Sequence, residues 1–233
     1  MIVSYSIKIE IRVVKMEYLD IYTDKFKHIG TCEKSECHKK GYWHKVITVL
    51  AFNPETRKVY FQRKWPKDRI ITEDNALLDF TVGGHIQAGE TLEHAVREVK
   101  EELLEDVELK DLVYLGIRQT AATITDTYIA NEFQYVYLYP NKKSLEDYEV
   151  NGEEIARLVE VDLYDALALF MDERSQIKAR EKYLQEDDYL IEEKVIERKH
   201  FMECYQLIDE FYKRMLIAIK RYCDGEDLKY ILW

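Results

Sequence analysis

The sequence predicts an α+β fold in which helices cover a mixed central sheet, with a helical extension at the C-terminus. Three observations lead there. Short apolar runs of strand length recur between residues 18 and 161, and two stretches of helical periodicity, near 91–104 and 162–170, interrupt them. The 233 residues, 47% of them hydrophobic, are enough for one sizeable core plus an extension.

Taken in order, residues 1–15 alternate like a strand from Ser4 to Val14, either as a real strand or as a segment upstream of a start at Met16. The main domain is assigned to 16–171. Within it, Tyr18 to Tyr22 reads as a strand, and Val46 to Phe52 with Val59 to Arg63 reads as a hairpin around Asn53-Pro54-Glu55-Thr56. Strands at Phe80 to Val82, Val107 to Ile117, Tyr128 to Leu138 and Val159 to Val161 follow, and a helix from Asp162 to Phe170 closes the domain. The extension, 172–233, is read as helical. Phe201, Tyr205, Ile208, Phe211 or Tyr212, Met215, Ala218 or Ile219, and Tyr222 form one apolar stripe across it. Folding back onto its own domain is the expected use of that stripe, with a homodimer interface or a lid as alternatives.

Composition narrows the function. A formal net charge of −11 argues against a general nucleic-acid surface, and the extension holds more acidic than basic residues, against a DNA-reading module. Cys32, Cys37, Cys204 and Cys223, with no signal peptide ahead of them, are expected to be reduced thiols of a cytoplasmic protein. No apolar run reaches membrane-spanning length.

The chemistry concentrates in Gly84-His85-Ile86-Gln87-Ala88-Gly89-Glu90 and Arg97-Glu98-Val99-Lys100-Glu101-Glu102. On a helix, Glu98 neighbours both Glu101 and Glu102, and like charges at that spacing destabilise it. Leu92, Ala95, Val96, Val99 and Leu103 would anchor the opposite face, leaving the acidic face presented. Carboxylates so crowded suit a hard dication such as Mg²⁺ that is shared with substrate phosphates. The upstream glycines suit backbone that approaches a ligand closely. Arg97 offers a planar fork for a carboxylate such as Glu90.

These residues resemble the box of the Nudix hydrolases, G-x5-E-x7-R-E-U-x-E-E-x-G-U with U apolar. The chain reads Gly84-x5-Glu90-x6-Arg97-Glu98-Val99-x-Glu101-Glu102, with a spacer one residue shorter and with Leu104 and Glu105 where the family has Gly and an apolar residue. The short spacer looks like a subgroup related to type I isopentenyl-diphosphate isomerases. Glu36 to His44 and Asn131-Glu132-Phe133 resemble further segments of that subgroup, so the resemblance spans about Met16 to Met171. It implies an α/β/α sandwich with a mixed central sheet and hydrolysis of diphosphate linkages.

The isomerases hold a metal with three histidines, to which His38, His44 and His85 look like counterparts. However, the isomerase's catalytic Cys falls at Gly83 and one of its strand carboxylates at Ala130, which removes a proton donor or acceptor that the isomerisation needs. His44 is therefore read as a pocket histidine rather than a ligand. Cys32, Cys37, His38 and His44 resemble zinc spacing only superficially.

The expected site is thus Mg²⁺ or Mn²⁺ held by Glu98, Glu101 and Glu102 with the Gly83 carbonyl that the resemblance implies. Glu98, Glu102 or Glu132 would serve the reaction, and Glu90 and Arg97 would support it. Lys64, Trp65, Lys67 and Arg69, together with His44, His85 and Arg118, are candidates for contact with a small phosphorylated substrate. A wall from Gln119 to Ala122 with Thr123, Thr125 and Tyr128 would face them. The alternative reading is a nucleotide-sensing regulatory protein, which need not keep the box carboxylates.

Overall fold

The computed structural model describes residues 16–64, 77–186, 188–227 and 229. The expectations placed on residues 1–15, Trp65, Lys67 and Arg69 lie outside them.

A two-stranded ribbon comes first, β1 (Tyr18–Tyr22) and β2 (His28–Glu33), and leads into helix α1 (Lys34–Lys40). Glu33 caps α1 by accepting from the backbone amides of Ser35 and Glu36, and Gly41 ends it at φ 64°. The hairpin of β3 (His44–Asn53) and β4 (Lys58–Lys64) turns where the sequence places it. Asn53 Oδ1 accepts from the amides of Glu55 (2.9 Å) and Thr56 (3.1 Å), the local bonding that makes Asn a turn former. Next come β5 (Leu78–Phe80), β6 (Val82–His85), and the helices α2 (Leu92–Ala95) and α3 (Arg97–Leu103). Then β7 (Val113–Thr125), β8 (Tyr128–Pro140), β9 (Ile155–Asp162) and α4 (Leu163–Phe170) complete the part the sequence outlined.

The strands beyond the ribbon form one nine-stranded sheet in the order β11-β10-β9-β4-β3-β8-β7, with β5 on β4 and β6 on β3. The sheet is mixed: β3 and β8 run parallel, and the other pairs are antiparallel. Alternation along β3 divides its side chains between two cores. Ile47, Val49 and Ala51 join Val99 and Leu103 of α3 on one face, while Leu50 and Phe52 join α4 and the C-terminal helix on the other. β3 and β4 pair only from Ala51↔Tyr60 to Asn53↔Lys58, then part, and β5 and β6 occupy the divergence.

The region after residue 172 corrects the sequence reading. In place of helix the chain forms β10 (Ile177–Gln185) and β11 (Asp188–Ile196), which extend the central sheet. The reason lies in how their charges are used. On β10 the Glu181 carboxylate is buried and accepts from Arg63 Nε at 3.0 Å and Nη2 at 2.7 Å, with Arg157 Nη1 3.5 Å away, so charges mark paired interior positions rather than a solvated helix face. The expected long helix is also broken. It becomes α5 (Cys204–Leu207) and α6 (Phe211–Cys223), separated at Glu210, whose φ of 52° no helix continues. Phe211, Tyr212, Met215, Leu216, Ala218 and Ile219 of α6 are buried in the chain's own core. That face is therefore not available to a second copy, which removes the structural basis for a homodimer through it. Further departures are local: the strand expected at 107–117 begins at Val113, and neither β2 nor α1 was anticipated. Among the described residues no helix is long and apolar enough to cross a membrane, and all four cysteines are free thiols.

Candidate active site

β6 lies antiparallel to β3, with Gly83 opposite Thr48 and Gly84 opposite Ile47, and this fixes the glycine pair beneath α3. Gly84 is required sterically, because a Cβ built there would lie 2.1 Å from Cδ of Glu98. Gly89 sits at φ 74° in the turn that follows. Arg97 Nε donates to Glu90 Oε1 at 2.8 Å, and Glu90 Oε2 accepts the Gln87 amide at 2.8 Å, so this pair ties the turn to the helix. The same guanidinium reaches Glu98 at 2.7 Å, Glu101 at 3.0 Å and the His85 carbonyl at 3.3 Å.

The three box glutamates are not equivalent. Glu98 and Glu102 point inward, whereas the Glu101 side chain is 51% exposed and turned to Arg97 at the rim. Burial pushes the Glu102 carboxyl up to about 7 against the opposing pull of Lys64, and burial likewise raises Glu98. Glu102 accepts from Gln62 Nε2 at 3.0 Å and lies 3.3 Å from Lys64 Nζ. Lys64 Nζ in turn donates to the Gly83 carbonyl at 2.7 Å. An ammonium group thus rests among the oxygens that the box offers to a cation.

On the far wall, β8 presents Glu132, which is 9% exposed and raised by burial; it accepts from Gln134 Nε2 at 2.8 Å. One cavity is lined by Lys64, Asp79, Gly83, Gly84, Glu98, Glu102 and Glu132, and by Tyr128 and Tyr205.

Beside it, three imidazoles converge. His38, His44 and His85 offer nitrogens within 4.8 Å of one another, and the Nε2 atoms of His38 and His85 are 2.9 Å apart. His44 Nδ1 is directed to the Tyr42 carbonyl at 2.9 Å, and its Nε2 has no hydrogen-bond partner, with Glu132 Oε1 4.0 Å away. Burial lowers His44 to about 4 and His85 well below its ordinary value, so both are neutral imidazoles, whose nitrogens suit a donor or a borderline-soft dication. His44 thus stands among candidate ligands, although the sequence reading placed it apart from them. The cysteines join no such set: Cys37 approaches His44 Nδ1 at 3.4 Å but is pushed up to about 12 by burial, which keeps it a thiol.

Residues 43–182 match the NUDIX domain. An uncharacterized Nudix hydrolase of Clostridium acetobutylicum is 36% identical over 161 residues, covering 68% of this chain and 75% of that protein. The chain belongs to the Nudix family. The fold resembles the crystal structure of DR0079 from Deinococcus radiodurans, with TM-score 0.46 and 22% identity over 67% of this chain and 90% of that one. It also resembles the Escherichia coli dihydroneopterin triphosphate pyrophosphohydrolase, with TM-score 0.38 and 20% identity over 54% and 84%.

As a Nudix protein the chain is a pyrophosphohydrolase acting on small phosphorylated substrates, and the family cleaves pyrophosphate bonds in nucleoside diphosphate derivatives, generally with Mg²⁺ or Mn²⁺. The cavity brings together Gly83, Glu98, Glu101, Glu102, Glu132, His85, Lys64 and Arg97, with Glu90 held by Arg97. His44 and Arg118 are not among the lining residues, and for Arg118 this is a correction. Arg118 is 5% exposed and spent on Asp209 and Gln134, so it does not meet substrate. Of the expected opposite wall, Thr120, Ala122, Thr125 and Tyr128 line the cavity.

Sequence reasoning missed Asp79, Gln62 and Tyr205. A lone Asp between Leu78 and Phe80 in an otherwise apolar strand was the available signal for the first. Tyr205 carried none, because it belonged to a stripe read as packing.

Proposed function

We propose that this chain hydrolyses a diphosphate linkage in a nucleoside diphosphate derivative, using Mg²⁺ or Mn²⁺ held by Glu98, Glu102 and the Gly83 carbonyl, with Glu101 at the rim. The observation that carries the reading is the Lys64 ammonium, donating to the Gly83 carbonyl at 2.7 Å and lying 3.3 Å from Glu102. A seat built wholly of oxygens, already accepting one cation, fits a hard dication. The bound ion would neutralise diphosphate oxygens and acidify a water.

The remaining work falls to the chain's own groups. Arg97 and Glu90 hold α3 against the Gly89 turn, so that the carboxylates keep their mutual geometry. Glu98, confined between Gly84 and Arg97, orients the attacking water or takes its proton. Glu132, fixed by Gln134, is the second candidate for that task. Lys64, displaced from the seat, is within reach of a substrate phosphate. Isomerisation gains nothing from this arrangement, since a glycine stands at 83 and an alanine at 130. A pure sensor would not need the carboxylates that remain.

The test is Mg²⁺-dependent cleavage of a panel of nucleoside diphosphate sugars, dinucleoside polyphosphates and nucleoside triphosphates, read by separating the nucleotide products, comparing wild type with Glu102→Gln. Loss of turnover of 10²-fold or more, roughly, is expected in the variant. Equal turnover in the two proteins sinks the assignment.

A further inference from the structure

Arg118 lies on β7 with its guanidinium nearly sealed from solvent, and a buried cation must be fully partnered. Asp209, in the break between α5 and α6, accepts from its Nε at 2.9 Å and Nη2 at 2.8 Å, a two-pronged pair that fixes the plane of the fork. Arg214 Nη1 grips the same carboxylate at 2.7 Å. The face of the fork lies 4.3 Å from the Phe211 ring centroid.

Held this way, Arg118 sends Nη1 to Gln134 Oε1 at 2.7 Å. A guanidinium can only donate, so the amide oxygen of Gln134 must face it and the amide nitrogen must face the other way. That nitrogen donates to Glu132 Oε2 at 2.8 Å, which turns Oε1 toward His44 Nε2, 4.0 Å away. Each link leaves the next no choice of orientation. The origin of the relay, Asp209, lies outside residues 43–182 that match the family domain.

We propose that Asp209 is a positioning residue for Glu132, acting through Arg118 and Gln134. The C-terminal segment thereby contributes to the reaction centre a group that never touches substrate. The inference rests on the reading that Glu132 serves the reaction, and the experiment separates the two.

With the panel compound that wild type turns over fastest, kcat, KM and thermal unfolding are measured for Glu132→Gln, Asp209→Asn, Asp209→Glu, Gln134→Met and the double variant Glu132→Gln/Asp209→Asn. Asp209→Asn and Gln134→Met are each expected to lower kcat about 10- to 100-fold with KM within about twofold, and Asp209→Glu to recover part of the loss. Gln134→Met leaves the Asp209–Arg118 pair whole, so it tests the relay even where Asp209→Asn folds poorly. In the Glu132→Gln background, Asp209→Asn should cost less than about twofold more, because nothing remains to be positioned. Multiplying losses in the double variant, or full kcat in Gln134→Met, overturn the proposal while leaving Glu132 in its role. Wild-type turnover in Glu132→Gln shows instead that the premise was wrong, and the relay falls with it.

Discussion

Lys64 Nζ lies 2.7 Å from the Gly83 carbonyl oxygen, so the terminal residue of β4 closes the oxygen cage that α3 and β6 leave open. Ammonium and dication then compete for one place. Lys64→Met should tighten Mn²⁺ binding several-fold, as read by Mn²⁺ electron paramagnetic resonance, and lower the thermal stability of the metal-free protein, in which Glu102 would lose the ammonium beside it while Glu98 keeps Arg97. Unchanged affinity would mean that the ammonium does not occupy the metal's position.

The Glu102 carboxyl gives the metal-free protein a pH signature. Folded, it keeps its proton up to about pH 7, whereas an unfolded glutamate releases it near 4.5. The folded state therefore binds more protons across that window, and stability falls as pH rises through it, by on the order of 3 kcal/mol. Urea denaturation in EDTA between pH 5 and 8 should show the decline, and Glu102→Gln should flatten it. Mg²⁺ affinity should move the opposite way, weakening as pH drops below about 7, because binding needs the carboxylate.

A single methyl group tests the packing beneath the carboxylates. Gly84→Ala places a Cβ 2.1 Å from Glu98 Cδ, so the helix or the carboxylate must shift. Activity should fall about 10²-fold, since displacements near 1 Å at a reacting centre cost that much. Circular dichroism should remain native; wild-type activity would show that the Glu98 geometry is not critical.

Where the functional unit ends can be settled by truncation. A chain stopped at Met171 loses β10, which lies inside the sheet, and α6, whose apolar face fills one core. It also removes Glu181, the buried carboxylate that Arg63 grips at 2.7 Å. No cooperative unfolding transition is expected from that fragment. A sharp transition would restore the boundary at 171.

How far the sequence reveals this molecule depends on which force shapes each part. The hairpin at Asn53, the helix after Asp162 and the apolar face of α3 are dictated by local turn chemistry and periodicity, and they stand where those rules place them. The box resemblance singled out Gly83, Glu98 and Glu102, which line one cavity, because their spacing is set by one loop and one helix. β10 escaped because its charged residues are paired with partners beyond the range of local periodicity, as Glu181 is with Arg63 and Arg180 with Glu160. Arg118 looked like a phosphate ligand for the same reason: its carboxylate partner is 91 residues distant. Long-range pairing of polar groups leaves no periodic trace.

The parting of β3 from β4 has a mechanical consequence. Joined at only three rungs, the sheet divides into two panels meeting along a seam, one carrying Gly83 on β6 and Glu132 on β8, the other carrying Gln62, Lys64 and Asp79 on β4 and β5. Glu102 and the Gly83 carbonyl reach across that seam to Gln62 and Lys64, so the hydrogen bonds that prepare the reaction centre are also the stitches between the panels. A ligand filling the cavity would bear on both panels at once, because Gly83 and Glu132 line it from one and Lys64 and Asp79 from the other.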